Sequence, residues 1–178
     1  GDDNDTVIGG AGADSLDGGN GANTLSYEDV MTSADPTVST HGLTGVSGMA
    51  INLSGSAITA SVVENTYMNG AVLGGGDGVA GADLAGGTVA YLATGASAST
   101  IGMVRDSVAN FSHVIGSELD DFIALGAGGM IAEGAEGNDV IVGGDGNDGL
   151  FGGEGDDSLI GGSGDDYIFG GAGNDTLV

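Results

Sequence analysis

The sequence has no cysteine, no tryptophan and no lysine, so Arg105 is the single basic residue among 178. The absence of cysteine excludes a disulfide scaffold, a thiolate zinc site and a cysteine nucleophile. One cation against 26 acidic residues leaves a net charge of −25, which excludes binding of nucleic acid or an anionic membrane through a basic face. No apolar run approaches the roughly 18 residues that a membrane-spanning helix needs.

Glycine and acidic residues are abundant, and both concentrate toward the two ends of the chain. Glycine accounts for 40 of the 178 residues, about three times its usual share of roughly 7%. Five acidic residues fall in 1–26, seven in 27–115 and fourteen in 116–178. Acidic chains with few aromatic residues are often disordered, yet 40% of these residues are hydrophobic. The pattern therefore favours a metal-dependent fold over a flexible linker.

A nine-residue repeat explains this distribution. Residues 116–178 divide into seven consecutive units, GSELDDFIA, LGAGGMIAE, GAEGNDVIV, GGDGNDGLF, GGEGDDSLI, GGSGDDYIF and GGAGNDTLV, and residues 1–26 give three more. Glycine predominates at positions 1, 2 and 4 of the unit. Asp occupies position 6 in eight of the ten units, and position 8 is apolar in all of them.

Each unit predicts a turn of six residues followed by a strand of three. Glycine permits the positive φ angles of a tight turn, and the alternation of side chains along a strand places position 8 inside. Two units then make one coil with a strand on each side. We expect stacked coils that form two short parallel sheets with a single file of Leu, Ile and Val between them, which is an all-β fold.

Stacking also brings the position-6 carboxylates into a column. Successive turns on one edge lie about 4.8 Å apart, so the column repels itself unless cations lie between the turns. Carboxylate and carbonyl oxygens at six or more contacts suit Ca²⁺, whereas Mg²⁺ gives up its water reluctantly. Soft metals are disfavoured because there is no cysteine and the only histidines are His41 and His113. We therefore expect several Ca²⁺ ions as the cofactor.

The units GGDGNDGLF, GGEGDDSLI, GGSGDDYIF and GGAGNDTLV closely resemble the RTX, or hemolysin-type, calcium-binding repeat. The resemblance covers 1–26 and 116–178. It implies a parallel β-roll, a right-handed β-solenoid, in a bacterial protein that leaves the cell through a one-step secretion channel and folds outside. It also implies one ion between unit n and unit n+2. The ligands would be the position-6 Asp of both units, the carbonyls at positions 2 and 4 of the first, and those at positions 1 and 3 of the second.

Carried onto this sequence, the resemblance implies three complete sites in the C-terminal units. Their ligand sets are Ala135, Gly137 and Asp139 with Gly152, Glu154 and Asp157; Gly144, Gly146 and Asp148 with Gly161, Ser163 and Asp166; and Gly153, Gly155 and Asp157 with Gly170, Ala172 and Asp175. A fourth ion would join Asp121 to Asp139. At the start of the chain, Asp5 would pair with Asn23, a weaker neutral ligand.

Some positions depart from the family pattern. Ser117 and Leu119 replace turn glycines in the unit of Asp121. Met130 replaces the position-6 Asp of its unit, which puts in doubt the site that this unit would share with Asp148.

The segment 27–115 breaks the register and separates the repeats of 1–26 from those of 116–178. Asn69-Gly70 between Thr66–Met68 and Ala71–Leu73 is typical of a β-hairpin. The pattern predicts further strands at Met49–Leu53, Ile58–Val63, Thr88–Leu92, Ile101–Val104 and Phe111–Ile115. We expect this β-rich segment to be either a set of irregular coils of the same solenoid or a small β lobe on its side.

No catalytic pattern stands out. Neither H-E-x-x-H nor G-x-S-x-G occurs, and His41 and His113 lack an evident triad setting. Paired carboxylates such as Asp156-Asp157 fall at positions 5 and 6 of the repeat, where metal ligation explains them. We therefore expect the chain to have no enzymatic activity.

The outward positions 7 and 9 carry apolar side chains that a thin roll would expose. They are Val140, Val142, Phe151, Ile160, Tyr167, Phe169 and Val178. Exposed apolar stripes usually mark contacts, so we expect them to pack against 27–115 or against a second subunit.

The sequence thus predicts a calcium-binding β-roll of a secreted or cell-surface protein with a structural or adhesive role, for example in a surface layer, a fibre or a phage appendage. The alternative is an accessory module of an exported enzyme or toxin.

Overall fold

The computed structural model describes residues 2–8, 15–28, 46–54, 56, 72–73, 87–93 and 105–178. All regular elements in these ranges are strands, which confirms the all-β prediction. They are β1 (Thr6–Ile8), β2 (Ser15–Asp17), β3 (Thr24–Ser26), β4 (Val46–Asn52), β5 (Val72–Leu73), β6 (Thr88–Ala93), β7 (Arg105–Ala109), β8 (His113–Ile115), β9 (Phe122–Ala124), β10 (Ile131–Glu136), β11 (Val140–Asp145), β12 (Gly149–Glu154), β13 (Ser158–Ser163), β14 (Tyr167–Ala172) and β15 (Thr176–Leu177).

The strands form two sheets that alternate along the repeats. The first sheet has the order β1-β3-β8-β10-β12-β14, and all of its described pairs are parallel. The second sheet has the order β15-β13-β11-β9-β4-β6-β7-β2. In both sheets the C-terminal strands pair with a step of two units, for example Leu150 with Ile168 and Ile141 with Leu159. This arrangement is a parallel β-roll, as predicted.

A single file of position-8 side chains fills the space between the sheets. Six of them are fully buried, namely Leu25, Ile123, Ala132, Ile141, Leu150 and Leu159. Ile51 of β4 joins the file, because it pairs with Ile123 and is also fully buried. The file ends toward the last coil, where Leu177 is 48% exposed. The predicted core is therefore confirmed, and it is one side chain thick.

The strands of the C-terminal coils are longer than predicted. We expected three residues per strand, but β10 to β14 each have six, covering positions 7 to 9 of one unit and positions 1 to 3 of the next. The parallel ladder continues past the corner because the glycine at position 1 has no Cβ atom that would keep successive coils apart. At Gly152, for example, a Cβ atom would overlap the carbonyl oxygen of Gly170 in the next coil.

Four predicted strands of the middle segment are confirmed, as β4, β5, β6 and β8. The strand β5 is the described part of the predicted strand Ala71–Leu73, and it pairs with β6. The predicted strands Ile58–Val63, Thr66–Met68 and Ile101–Val104 lie outside the described residues. The strands β4, β6 and β7 continue the second sheet between β2 and β9. The pairs β4–β6 and β6–β7 are antiparallel, so this part of the sheet does not follow the repeat pattern.

Candidate metal sites

The turns of the roll lie in two columns, one on each edge. The first edge holds the turns 116–121, 134–139, 152–157 and 170–175, which lead from the first sheet to the second. The second edge holds the turns 125–130, 143–148 and 161–166, which lead back. Because the two kinds of turn alternate along the chain, each turn lies beside the turn two units away. This is the n to n+2 relation that the resemblance implies.

The position-6 Asp residues on the first edge form a hydrogen-bonded ladder. In each case Oδ1 accepts the backbone N–H of the position-6 residue 18 positions earlier. The bonds run from the amides of Asp121, Asp139 and Asp157 to the carboxylates of Asp139, Asp157 and Asp175, and measure 2.7, 2.8 and 3.1 Å. One oxygen of each of these carboxylates is thus used to fix the turns relative to each other.

The second edge repeats the ladder with a different first member. Asp148 accepts the backbone N–H of Met130 at 2.9 Å, and Asp166 accepts that of Asp148 at 2.9 Å. Met130 takes part through its backbone alone, so its replacement of Asp does not interrupt the ladder. It does remove a carboxylate from the space between the turns 125–130 and 143–148.

The second carboxylate oxygen has no partner at three of these positions. Oδ2 of Asp139, Asp148 and Asp157 is buried and finds no hydrogen-bond partner among the described residues. A buried oxygen of an ionised carboxylate without a partner costs several kcal/mol on the order-of-magnitude scale of such transfers. The three atoms therefore indicate positions where a cation or a proton is needed.

The raised pKa of Asp139 also indicates that a positive group is needed at this position. Burial, followed by the charge of Asp121, raises the pKa of the Asp139 carboxyl to about 9, although the hydrogen bond from the backbone N–H of Asp121 opposes the shift. Burial also raises the pKa of Asp148 and of Asp157, with further contributions from the charges of neighbouring Asp residues. Without a metal ion, the Asp139 carboxyl thus holds a proton at a pH where a free Asp side chain is ionised.

Backbone carbonyl oxygens line the spaces next to these carboxylates. A Cβ atom added to Gly134 would overlap both Oδ2 of Asp139 and the carbonyl oxygen of Gly152, so these two oxygens converge on one point. A Cβ atom added to Gly153 would overlap the carbonyl oxygen of Ala135. Gly153 has a φ of 122°, which L-residues rarely adopt. The absence of side chains thus leaves these oxygens facing the next turn.

The position-3 carbonyls are also placed beside the neighbouring turn, but they already accept hydrogen bonds. Glu154 accepts the backbone N–H of Gly137 at 2.9 Å, and Ser163 and Ala172 accept equivalent bonds from Gly146 and Gly155 at 2.8 Å. A carbonyl oxygen has two lone pairs and can take a second partner. These residues therefore remain compatible with the predicted ligand sets.

The donor set fits a hard cation. Each space between complete turns combines carboxylate and carbonyl oxygens, which are the ligands that Ca²⁺ takes at six to eight contacts of about 2.3–2.6 Å. In the part of the chain that the structure describes, no three His, Asp or Glu side chains gather as a metal site. That result agrees with the donor set, because backbone carbonyls supply most of the predicted ligands and each space has only two position-6 carboxylates.

The fourth predicted site, between Asp121 and Asp139, differs from the three above. Oδ2 of Asp121 accepts the backbone N–H of Ser117 at 2.6 Å and its hydroxyl at 3.1 Å. The serine that replaces a turn glycine therefore supplies a hydroxyl donor to the oxygen that is unpartnered in Asp139, Asp148 and Asp157. Sequence reasoning identified Ser117 as a departure from the pattern but did not predict this bond, for which a hydroxyl four residues before the Asp is the signal.

The position-5 residues have a separate role that the sequence analysis assigned to ligation. Oδ1 of Asp120 accepts the backbone N–H of Asn138 at 2.8 Å, and Oδ1 of Asn138 accepts that of Asp156 at 2.8 Å. These side chains are exposed, and Asp and Asn serve equally as acceptors. Position 5 thus forms a second ladder on the outside of the turn, which the recurrence of Asp or Asn there could have indicated.

In the C-terminal units, two sheets of parallel strands are closed by turns whose oxygens face each other across the space between adjacent coils, which defines a calcium-binding β-roll. The family model of the RTX calcium-binding nonapeptide repeat (4 copies) matches residues 1–29, 115–159 and 150–177, which is just over half of the chain. The chain therefore belongs to this family, and the resemblance drawn from its repeats is confirmed. No curated protein matches the chain. Within the described ranges, no helix has the length and hydropathy of a membrane span.

Proposed function

We propose that calcium binding and folding of this segment are a single equilibrium. The observation that carries the proposal is the set of three buried, unpartnered oxygens of Asp139, Asp148 and Asp157. The free-energy cost of burying these oxygens without a partner destabilises the metal-free roll. The core of the roll is a single file of side chains, so it contributes little stability to offset this cost. An ion that binds only the folded roll stabilises it by mass action. The segment is then unfolded where calcium is scarce and folded where calcium is abundant.

Folding that depends on calcium also favours a location outside the cell. Extracellular calcium modules work at about 10⁻⁴–10⁻³ M, and the sites inferred here would fill in that range after export. A chain that is unfolded and strongly acidic without calcium is suited to passage through a secretion channel, as the family resemblance implies. We infer a secreted or cell-surface protein in which this segment has a structural role and no catalytic one.

A circular dichroism titration of the whole chain tests the proposal. In chelator we expect a coil spectrum, and above a calcium threshold a cooperative change to β structure. Mg²⁺ at the same concentrations should be a poor substitute, because it dehydrates reluctantly. A β spectrum that stays unchanged after exhaustive removal of calcium would contradict the proposal.

Two triple variants with the same change in charge sharpen this test. Asp→Asn at positions 139, 148 and 157 places amides at the three unpartnered oxygens. In this variant, the circular dichroism spectrum should no longer change at a threshold calcium concentration. Asp→Asn at 120, 156 and 165 alters exposed position-5 residues, where Asn already stands in other units as Asn138, Asn147 and Asn174. This control should keep the threshold. If both triple variants changed it equally, general charge rather than the inter-turn sites would be responsible.

Assembly through the outer face of the first sheet is a second candidate function. Tyr167 is 63% exposed and Phe169 is 55% exposed, and the rings of Phe151 and Tyr167 lie 5.7 Å apart. We call Ile131, Phe151, Tyr167 and Phe169 the outer aromatic patch. Large apolar groups left in water on one face usually mark a contact surface, and this observation favours an assembly or adhesive role over an isolated module.

A further inference from the structure

Asn23 occupies position 6 of its unit, where most other units have Asp. Its side chain is fully buried, and its Oδ1 accepts the backbone N–H of Asp5, 18 residues earlier, at 2.9 Å. This bond is the same one that Asp139 makes to Asp121. The Oδ1 atom of Asn23 therefore takes part in the ladder as an Asp oxygen does. The difference lies in its Nδ2 group.

The Nδ2 group of Asn23 lies among backbone carbonyl oxygens. Nδ2 of Asn23 donates toward the carbonyl oxygens of Gly19, Asn20 and Gly21 in its own turn, at 3.5, 3.4 and 3.5 Å. It also donates to the carbonyl oxygen of Asn110, in the adjacent turn, at 3.2 Å. Gly19 and Gly21 are positions 2 and 4 of the unit, which supply predicted ligand carbonyls in the C-terminal turns.

The geometry of Gly18 shows that this amide stands where a C-terminal turn has its unpartnered oxygen. A Cβ atom added to Gly18 would meet the carbonyl oxygen of Asn110 and Nδ2 of Asn23. A Cβ atom added to Gly134, the equivalent residue, would meet the carbonyl oxygen of Gly152 and Oδ2 of Asp139. Nδ2 of Asn23 thus corresponds to Oδ2 of Asp139, and Asn110 corresponds to Gly152.

We propose that the amide of Asn23 replaces a calcium ion between the turns 18–23 and 110–112. An amide nitrogen presents hydrogen atoms to the carbonyl oxygens, as a cation presents positive charge, but it adds no net charge and requires no carboxylate. The position-6 residue of the turn above is Ser112, whose backbone N–H donates to the carbonyl of Asn23 at 3.0 Å. With no position-6 carboxylate from either turn, and with Nδ2 of Asn23 already donating to the carbonyl oxygens, this space takes no ion. The N-terminal repeats are therefore joined to β8 without calcium.

The proposal rests on the proposed function only in taking the C-terminal turns to bind calcium, in contrast to the turn of Asn23. Ion content at Asn23 can be measured whether or not folding depends on calcium. We would count bound calcium on the whole chain by calorimetry and by elemental analysis after gel filtration in dilute calcium. A crystal structure grown in calcium, with ions located by their anomalous signal, would supply the positions.

The decisive variant is Asn23→Asp, which restores the missing oxygen. We expect it to bind one more ion per chain than the wild type, located between Gly19, Gly21 and Asn110. The control is Asn138→Asp, the same chemical change at exposed position 5, which should leave the count unchanged. An ion beside Asn23 in the wild type would overturn the proposal, and so would a folded Asn23→Asp variant with no additional ion at saturating calcium.

The reciprocal variant keeps the proposal testable if Asn23→Asp fails to fold. Asp139→Asn should place an amide among the carbonyls of Ala135, Gly137 and Gly152, lose the ion between Asp139 and Asp157 and retain the β spectrum in calcium. Loss of the ion together with loss of the β spectrum would show that an amide cannot do the work of calcium between these turns, and the proposal would fall.

Discussion

Oδ1 of Asp157 accepts the backbone N–H of Asp139 at 2.8 Å, while Oδ2 of the same carboxylate is buried without a described partner. One carboxylate therefore serves two neighbouring turns in different ways. Its first oxygen fixes the turn of Asp139 whether or not metal is present. Its second oxygen faces the space shared with the turn of Asp175, where a positive group is needed.

This double role predicts unequal effects of removing Asp157 and Asp121. Asp157→Ala removes a ligand from two inferred sites and a charge-assisted hydrogen bond, which together should cost at least about 1.5–3 kcal/mol in calcium. Asp121→Ala removes a carboxylate whose Oδ2 already has Ser117 as a partner, so it should lose fewer ions. Calorimetric ion counts and chemical unfolding in millimolar calcium measure both quantities. Equal ion losses would show that Asp157 does not contribute to two sites.

The raised pKa of Asp139 predicts that protons partly replace calcium. Its folded-state value of about 9 lies above the ordinary value of 3.8, so between these limits the folded chain holds a proton that the unfolded chain has released. The metal-free fold therefore loses stability as pH rises through this window and gains it as pH falls. In chelator, the folded fraction should increase from about pH 8 toward about pH 5. Circular dichroism in chelator across this pH range measures the folded fraction, and a decrease toward acid pH would contradict the prediction.

The same proton predicts a second, independent signal. Ca²⁺ requires an ionised carboxylate, so binding to metal-free chains that have folded at mildly acid pH must release the proton that Asp139 holds there. Titration of calcium into weakly buffered protein at about pH 5, where the metal-free fold is most populated in this pH window, should acidify the solution, and the Asp139→Asn variant should release less. Equal release by both proteins would assign the raised pKa to a different group.

The repeat made half of this structure predictable, because each position of the unit has one physical task. The buried file that includes Leu150 and Leu159 follows from position 8, and the carboxylate ladder of Asp139 and Asp157 follows from position 6. The long strands β10 to β14 did not follow, because the pattern indicates where side chains point but not how far the backbone ladder continues past a corner without Cβ atoms.

Other features depend on single residues or on distant pairings. The bond from Ser117 to Asp121 and the amide of Asn23 arise where a residue departs from the repeat, so periodicity carries no information about them. The pairing of β4 with β9 joins Ile51 to Ile123, far apart in sequence and without a shared register. Such contacts depend on how the whole segment packs, and local patterns do not encode them.

Alanine substitutions at two position-4 glycines allow backbone strain to be distinguished from an effect on calcium binding. Gly155 and Gly128 both have positive φ, at 135° and 105°, so alanine at either should cost about 1–2 kcal/mol in backbone strain. A Cβ atom at Gly155 would also overlap the carbonyl oxygen of Gly137, whereas at Gly128 nothing lies within 4 Å. Gly155→Ala should therefore lose calcium and Gly128→Ala should not. Calorimetry on both variants decides this, and equal ion counts would exclude the Gly137 carbonyl as a ligand.

The outer aromatic patch predicts calcium-dependent association. Tyr167 and Phe169 remain more than half exposed, and the roll that presents them forms only when the turns close. Each bound Ca²⁺ also cancels two negative charges of a chain that starts at −25, which weakens long-range repulsion between copies. Phe151→Ser combined with Phe169→Ser should shift the protein toward monomer in millimolar calcium and leave the ion count unchanged. Val142→Ser with Ile160→Ser, two position-9 changes on the second sheet, shows whether the contact belongs to the first sheet alone. Sedimentation velocity over a range of protein concentrations provides the measurement, and a wild-type protein that stays monomeric at every concentration in calcium would refute the association.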